Sequence, residues 1–378
     1  MGIAMVDLKG QYEKIKAEVD QAIQQVIDGT AFINGPAVKS FAADLESYLE
    51  VDHVIPCANG TDALQIAMMA LEIERGSEVL VPSWTYVATV EVIALLGYLP
   101  VFVEVEPDSF NIDIDDLRKK ITSKSKAIAP VHLYGQCANM DEILEIARQF
   151  GLKVIEDTAQ ALGAKHISKA GVIKRAGTIG DIGTTSFFPS KNLGCFGDGG
   201  AIMTNDKELA SKMRMIANHG QKRKYYNELA GVNSRLDTIQ AAILSVKLKH
   251  LDEYAAARNQ VADRYDEAFA MLDTVETPFR SSFSDHVFHQ YTLKLAKGIN
   301  RDMLQSDLKE LGIPSMIYYP IPNHLQPAYS SFGYKKGHLL VTEGLSKRVL
   351  SLPIHTEMGN ETQSVIIDGF KECLVKHS

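Results

Sequence analysis

Short apolar runs alternate with amphipathic stretches through the first two thirds of this 378-residue chain, and that alternation limits its fold more than any other feature. "EVLVPSW" and "PVFVEVEP" read as strands flanking a helix, "TYVATVEVIALLG"; "KAIAPVHLYG" and "KVIEDTAQ" flank "MDEILEIARQFGL" in the same way. Parallel strands need such crossovers, so the pattern predicts an α/β fold with a mostly parallel central sheet between layers of helices. Ligands of open sheets of this kind sit beyond the carboxyl ends of the strands. Trp84, His132 to Gln136 and Glu156 to Gln160 are placed there.

After "GVNSRLDTIQAAILSVKLKHLDEYAAARNQVADRYDEAF" the texture changes. That segment has helical spacing over one or two helices. A strand-like "HQYTLKL", a helix "RDMLQSDLKELG", the Pro-rich loop "YYPIPNHLQPAY" and a last helix "NETQSVIIDGFKECL" follow. The expected division is a large domain over 1–249 and a smaller C-terminal α+β domain over 250–378.

Charge and cysteine usage narrow the function classes. A formal charge of -8 leaves no basic stripe to neutralise phosphates, so nucleic acid is not expected as a partner. The "KRK" at Lys222 to Lys224 is a short solvated run. The longest apolar run, Val92 to Val103, is broken by Gly97 and Pro100 and is too short to cross a bilayer. Charges at Asp7, Lys9, Glu13 and Lys14 preclude a signal-peptide core, and Val6 replaces the Ser or Thr of a myristoylation motif. Cys57, Cys137, Cys195 and Cys373 form no CxxC pair and suggest no metal site. A cytoplasmic protein is expected.

Three constellations carry chemistry. In "KVIEDTAQALGA" an apolar strand ends in Glu156 and Asp157, carboxylates that need a cationic or hydrogen-bonding partner if buried. Asp157 serves either as a helix cap or as the partner of a protonated ring nitrogen. In "CANGTDALQIAMMAL" the Asn-Gly-Thr opens an amphipathic helix whose N-terminus suits an anion, although Thr61 or Asp62 can equally be a plain cap. No Walker lysine follows and no GxGxxG opens a βαβ unit, so nucleotide cradles of those types are unsupported. In "TTSFFPSKNLGCFGDGGAIMT" a single lysine, Lys191, sits among aromatic, small and glycine residues. An amine in a water-poor pocket loses its proton more readily and becomes a nucleophile or base. Phosphate cradle, aromatic side chain, carboxylate and isolated lysine together match the needs of pyridoxal phosphate.

"ANGTDAL", "PSWTYVAT", "IEDTAQALGA", "SFFPSKNLGCFGDGGAI" and "GVNSRLDTIQAAIL" occur in the order of the sequence blocks of the DegT/DnrJ/EryC1/StrS sugar aminotransferases, and the chain resembles that family over nearly its whole length. The resemblance implies an aspartate-aminotransferase-like fold of type I and pyridoxal 5′-phosphate as cofactor. It implies that Lys191 forms the Schiff base, that Asp157 pairs with the pyridine nitrogen and that Gln160 lies on the ring-oxygen side. Trp84 would stack on the ring, and Gly60, Thr61 and Ser186 would hold the phosphate. Asn233 would reach the phosphate of a neighbouring subunit, making a homodimer the active unit. Relatives with histidine in place of the lysine are dehydratases; Lys191 favours transamination.

The same resemblance implies a ping-pong reaction in which L-glutamate gives its amino group to a keto-sugar on a nucleoside diphosphate. The lysine block resembles the branch acting on 3-keto sugars, with 4-keto sugars as the alternative, whose block commonly reads "NKTITTGEGG". Tyr318 stands where many members have histidine, and Tyr319, His324 and Arg235 are further candidate substrate contacts. The basic stretch from Lys165 to Arg175 is longer than the usual loop and reads as a solvated surface loop or as a lid over a diphosphate. Rival readings are another pyridoxal-phosphate enzyme and a non-catalytic regulatory relative.

Overall fold

Seven strands build the central sheet of the computed structural model, which describes residues 2–377. They are β1 (His53–Cys57), β2 (Glu78–Pro82), β3 (Leu99–Val103), β4 (Ser125–Ile128), β5 (Lys153–Asp157), β6 (Ile182–Ser186) and β7 (Gly200–Thr204). The spatial order is β1-β7-β6-β5-β4-β2-β3. Pairings between β6 and β3 are parallel, and β7 runs antiparallel to both its neighbours. The mostly parallel α/β sheet expected from the βαβ pattern is therefore present.

The helices of this part are α1 (Leu8–Gly29), α2 (Pro36–Leu49), α3 (Gly60–Ala70), α4 (Ala88–Leu95), α5 (Ile114–Lys120), α6 (Met140–Phe150), α7 (Lys207–Ala217) and α8 (Thr238–Leu248). Successive strand residues face opposite ways, and both faces are covered. Ile55, Val79, Val81, Ile155 and Ile202 pack with α3, α4 and α7. On the other face Leu80, Ile128 and Val154 pack with α5 and α6, while Val54, Ala201 and Met203 meet α2 and α8. This explains why the strands read as unbroken apolar runs.

A second core surrounds a three-stranded antiparallel sheet of β8 (Val275–Glu276), β9 (Tyr291–Leu295) and β10 (Val349–Leu352). The long amphipathic segment is two helices, α8 and α9 (Leu251–Phe269), broken at Lys249 and His250. α9 joins the cores: Leu251 packs beneath α2 and α8, whereas Val261, Tyr265 and Phe269 belong to the second core. α10 (Arg301–Glu310), α11 (Leu340–Leu345) and α12 (Asn360–Val375) follow, and Ile3 also packs on this second core. The basic stretch is a hairpin, Lys165–Ile167 against Ile173–Arg175. Lys169 meets Glu142, and Arg175 lies over Tyr48 and near Asp252.

One carboxylate pins the end of β5. Glu156 is fully buried and accepts bonds from the N–H groups of Gly177 (3.0 Å), Ile179 (2.7 Å) and Gly180 (2.6 Å). His132 Nε2 donates to it at 2.8 Å, because Nδ1 of that ring already accepts from Ala138 N. Burial alone raises this carboxyl, but the bonds from His132 and the backbone outweigh it and hold the group below the usual carboxylate range. Glu156 and His132 therefore serve the fold, not a ligand. Glu156→Ala orphans four donors, two of them buried and two partly buried, and should cost about 3–5 kcal/mol, read as a lower urea midpoint. Because the folded pKa is depressed, the contribution is complete above the unfolded value of about 4.3 and is lost as pH falls through the folded value. The variant's stability should accordingly fall less steeply in acid than that of the wild type.

Candidate functional site

Beyond the carboxyl ends of the strands lies a cavity of about 660 Å³, within the range of small-molecule sites. One wall is the start of α3. Asn59 caps that helix, its side chain accepting from Asp62 N at 2.8 Å, which leaves the first-turn N–H groups of Gly60 and Thr61 facing the cavity end. Ser186, the last residue of β6, stands against them so closely that a Cβ on Gly60 would lie 2.7 Å from its Cβ. Only glycine allows this approach. Ser186 Oγ accepts from Phe188 N at 3.2 Å and keeps its own proton to give to a ligand. Two N–H groups, a hydroxyl and a helix N-terminus form an anion cradle.

The floor is Asp157, whose neighbour in the strand is the inward Glu156. Its Oδ2 accepts from Thr89 Oγ1 at 2.8 Å and its Oδ1 from Ala159 N at 3.0 Å, which holds the carboxylate in one orientation. No helix begins at this residue, so it is not a helix cap: Oδ1 closes a turn while the group remains at the cavity.

Lys191 enters from the loop after β6. Its backbone N–H bonds to Phe188 O at 2.8 Å, and no hydrogen bond or ion pair engages its Nζ among the described residues. Burial lowers the amine to about 8, with the Asp157 charge opposing the shift. Beneath it the loop is gripped by α8: Lys247 Nζ donates to Gly194 O at 2.6 Å, and Gln240 accepts from Phe196 N at 2.8 Å.

The remaining walls come from both cores. Gln160, Tyr318 and Tyr319 line the cavity, with Gln160 Nε2 donating to Tyr319 Oη at 3.0 Å. Four further residues were not singled out from the sequence: Tyr86, Thr89, His289 and Gln290. Tyr86, His289 and Gln290 line the cavity, and Thr89 holds Asp157. His289 is 6% exposed with an unpartnered Nδ1, and burial, together with the cations Lys191 and Arg258, keeps its ring neutral well below the usual imidazole value. No simple signal marks His289 and Gln290, which precede a strand of the other core; Tyr86 could have been found as the second aromatic of "PSWTYVAT".

Two expected contacts are corrected. Trp84 is 1% exposed and does not line the cavity; its Nε1–H donates to Tyr134 Oη at 3.1 Å, while Tyr86, 58% exposed, lines the cavity with Phe188, Tyr318 and Tyr319. His324 is also buried behind the wall. Its Nδ1 meets Ser83 Oγ at 2.7 Å and its Nε2 meets Glu343 at 3.2 Å, so it ties the Pro-rich loop to the end of β2. Asn233 is exposed and Arg235 lines a separate groove of about 420 Å³ with Asn34, Lys39 and Arg214, so neither enters the cavity of its own chain. The basic hairpin contributes nothing to the lining.

The arrangement offers an amine whose neutral form is accessible near physiological pH, an oriented carboxylate, an anion cradle and exposed aromatic side chains. These suit a phosphorylated heteroaromatic aldehyde with a basic ring nitrogen. The sequence profile of the DegT/DnrJ/EryC1/StrS aminotransferase family matches residues 13–371. The chain is 46% identical over 374 residues to a "Pleiotropic regulatory protein" of Geobacillus stearothermophilus, covering 98% of both. It is 44% identical to the UDP-2-acetamido-2-deoxy-3-oxo-D-glucuronate aminotransferase of Pseudomonas aeruginosa, covering 96% of this chain and 98% of that one. Among solved structures it is similar to NtdA from Bacillus subtilis with bound cofactor PMP, with TM-score 0.88, 32% identity, and coverage of 96% of this chain and 82% of that one.

The depressed amine gives a direct test. After hydroxylamine strips carbonyl compounds from the protein, amine acylation read by peptide mass spectrometry should label Lys191 with a midpoint near pH 8. Exposed lysines should follow only towards about 10.4. A Lys191 midpoint at the surface value would contradict its desolvation.

Proposed function

Because the chain belongs to the DegT/DnrJ/EryC1/StrS aminotransferase family, we propose that it transfers the amino group of L-glutamate to a keto-sugar carried on a nucleoside diphosphate, with the 3-keto position as the one aminated. The observation that carries this reading is the unbonded, desolvated Lys191 amine on the same cavity as Asp157 and the Gly60–Ser186 cradle. The cradle, which only a glycine at position 60 permits, fits the phosphate of pyridoxal 5′-phosphate.

When bound, pyridoxal 5′-phosphate supplies an aldehyde that condenses with amines and a ring that accepts the electron pair of a deprotonated carbon. The chain's own residues supply the rest. Gly60 and Thr61 N–H and Ser186 Oγ would hold the phosphate, and Tyr86, not Trp84, would be the aromatic beside the ring. Asp157, oriented by Thr89, keeps a proton on the ring nitrogen. Lys191 Nζ would take the proton from the donor's α-carbon and hold it for return; an amine near 8 is matched to that task at physiological pH. Gln160 lies beside the ring oxygen, and Tyr318 and Tyr319 face the sugar.

In the same reading the chain divides near residue 250, with 1–249 carrying the cofactor contacts and 250–378 closing the cavity through His289, Gln290 and the Tyr318 loop. Asn233, exposed and outside its own cavity, reaches the phosphate of a second copy in a homodimer, and Arg235 accompanies it. No helix among the described residues is long and apolar enough to cross a membrane; a cytoplasmic setting suits these substrates.

The 3-keto choice is supported by the Pseudomonas relative, whose name specifies a 3-oxo sugar, and by the lysine block; a 4-keto sugar is the alternative. The name of the Geobacillus relative favours a second reading, a regulatory protein on the same fold. The complete set of Lys191, Asp157 and Gln160 at one cavity speaks for catalysis.

Purified protein should be yellow, bleach with borohydride, and shift its visible absorbance on adding L-glutamate. Lys191→Ala should lose turnover by at least about a thousandfold while still binding the cofactor. A colourless protein that gains no absorbance with pyridoxal phosphate would defeat the proposal. A panel of 3-keto and 4-keto nucleotide-sugars, each used to restore the absorbance after glutamate, decides the position aminated.

A further inference from the structure

The buried polar groups behind the cavity form a chain of hydrogen bonds whose direction is forced at each link. Trp84 Nε1–H can only donate, so Tyr134 Oη accepts from it and gives its own proton to the carbonyl of Tyr318. Tyr134 N–H can only donate as well, and it points at Gln160 Oε1 at 2.9 Å. The amide of Gln160 is thereby fixed with its Nε2 towards Tyr319, donating to Oη at 3.0 Å. The phenol of Tyr319 thus already has a donor on its oxygen, and its own proton has no acceptor among the described residues. Tyr319 lines the cavity, so that proton is available to a ligand.

We propose that Tyr319 is a catalytic residue whose hydroxyl donates a hydrogen bond to the carbonyl oxygen of the keto-sugar acceptor. This rests on the aminotransferase reading above and adds a substrate-polarising group to it. The choice of the carbonyl follows from hydrogen-bonding capacity. A sugar hydroxyl both donates and accepts, so a fixed donor discriminates poorly among hydroxyls. A keto oxygen only accepts, and the ammonium of the amino-sugar product only donates. A wall that presents a donor therefore favours the keto substrate over the product that replaces it. A bond to the carbonyl oxygen draws charge from the carbonyl carbon and strengthens as nitrogen attacks that carbon and negative charge grows on oxygen. Tyr319 need not ionise: burial first, and the nearby charge of Asp157, raise its pKa above the tyrosine range. The inward-held Trp84 acquires a role here too, as the far end of the chain that orients Tyr134.

The test uses holoenzyme and Tyr319→Phe, which removes the hydroxyl and keeps the ring packed near Trp84 and Tyr318. Two processes are followed separately. Exchange of the glutamate α-hydrogen with deuterated solvent reports the proton transfer at Lys191 and involves no carbonyl oxygen. Restoration of absorbance by a keto nucleotide-sugar reports the acceptor half-reaction. In Tyr319→Phe the exchange should stay within about twofold of wild type, while the acceptor half-reaction slows by about 30- to 100-fold in its maximal rate. Affinity for the free nucleoside diphosphate, measured by calorimetry, should be unchanged. An acceptor half-reaction equal to wild type overturns the assignment. So does an exchange rate reduced as far as the acceptor step, because Tyr319 would then serve the shape of the whole cavity. If wild-type protein fails to exchange the glutamate hydrogen and no keto nucleotide-sugar reacts, the aminotransferase reading itself falls.

Discussion

Two carboxylates side by side on an extended strand cannot face the same way, and the site depends on that constraint at the end of β5. Glu156 turns behind the sheet end and is satisfied there by three backbone N–H groups and His132. Asp157 is thereby left to face the cavity, where Thr89 and Ala159 N orient it. A shift of one residue in this strand would exchange the two, turning Asp157 inward and bringing Glu156 to the cavity. The bonds to Glu156 therefore set the register on which the floor of the cavity relies.

A comparable contrast separates two lysines. Lys247 and Lys191 are both lowered to about 8 by burial, yet they have opposite uses. Lys247 is 2% exposed and gives a hydrogen bond to the carbonyl of Gly194, bracing the loop from below. Lys191, carried by the same loop, has no bond on its Nζ among the described residues and opens on the cavity. Desolvation eases the loss of an amine's proton; only the absence of a partner leaves it free to react. α8 supplies the brace and also packs on α1 and α2, so the position of the reactive amine is tied to the N-terminal helices.

Much of this was legible in the linear pattern. The βαβ alternation implied the sheet, and Lys191, Asp157, Gly60, Thr61, Ser186 and Gln160 all stand on one cavity as their strand-end and helix-start positions suggested. The misplacements share a physical cause. Trp84 and Tyr86 lie two residues apart in one turn after β2, where no periodicity says which ring turns outward. Burial chose the indole, whose single N–H found Tyr134. His324 looked available in a Pro-rich loop, but both its nitrogens are taken, by Ser83, which is 241 residues away in the chain, and by Glu343 on a later helix. His289 and Gln290 lie roughly a hundred residues after Lys191 and could be associated with it only once the second core had folded against the first.

The sequence by itself determined the elements and the chemistry available to them: short unbroken apolar runs make strands, a capped Asn-Gly-Thr starts a helix, and a lone lysine among glycines is poised to lose its charge. Those are consequences of local backbone geometry and side-chain chemistry, which neighbours in the chain suffice to define. Tertiary structure decided which face each group presents and which groups meet. It separated Glu156 from Asp157, sent Trp84 and His324 inward, and brought Tyr319 to Gln160 across 159 residues of chain. Hydrogen-bond direction is settled only when donor and acceptor are in place, and those partners come from segments that the sequence does not pair.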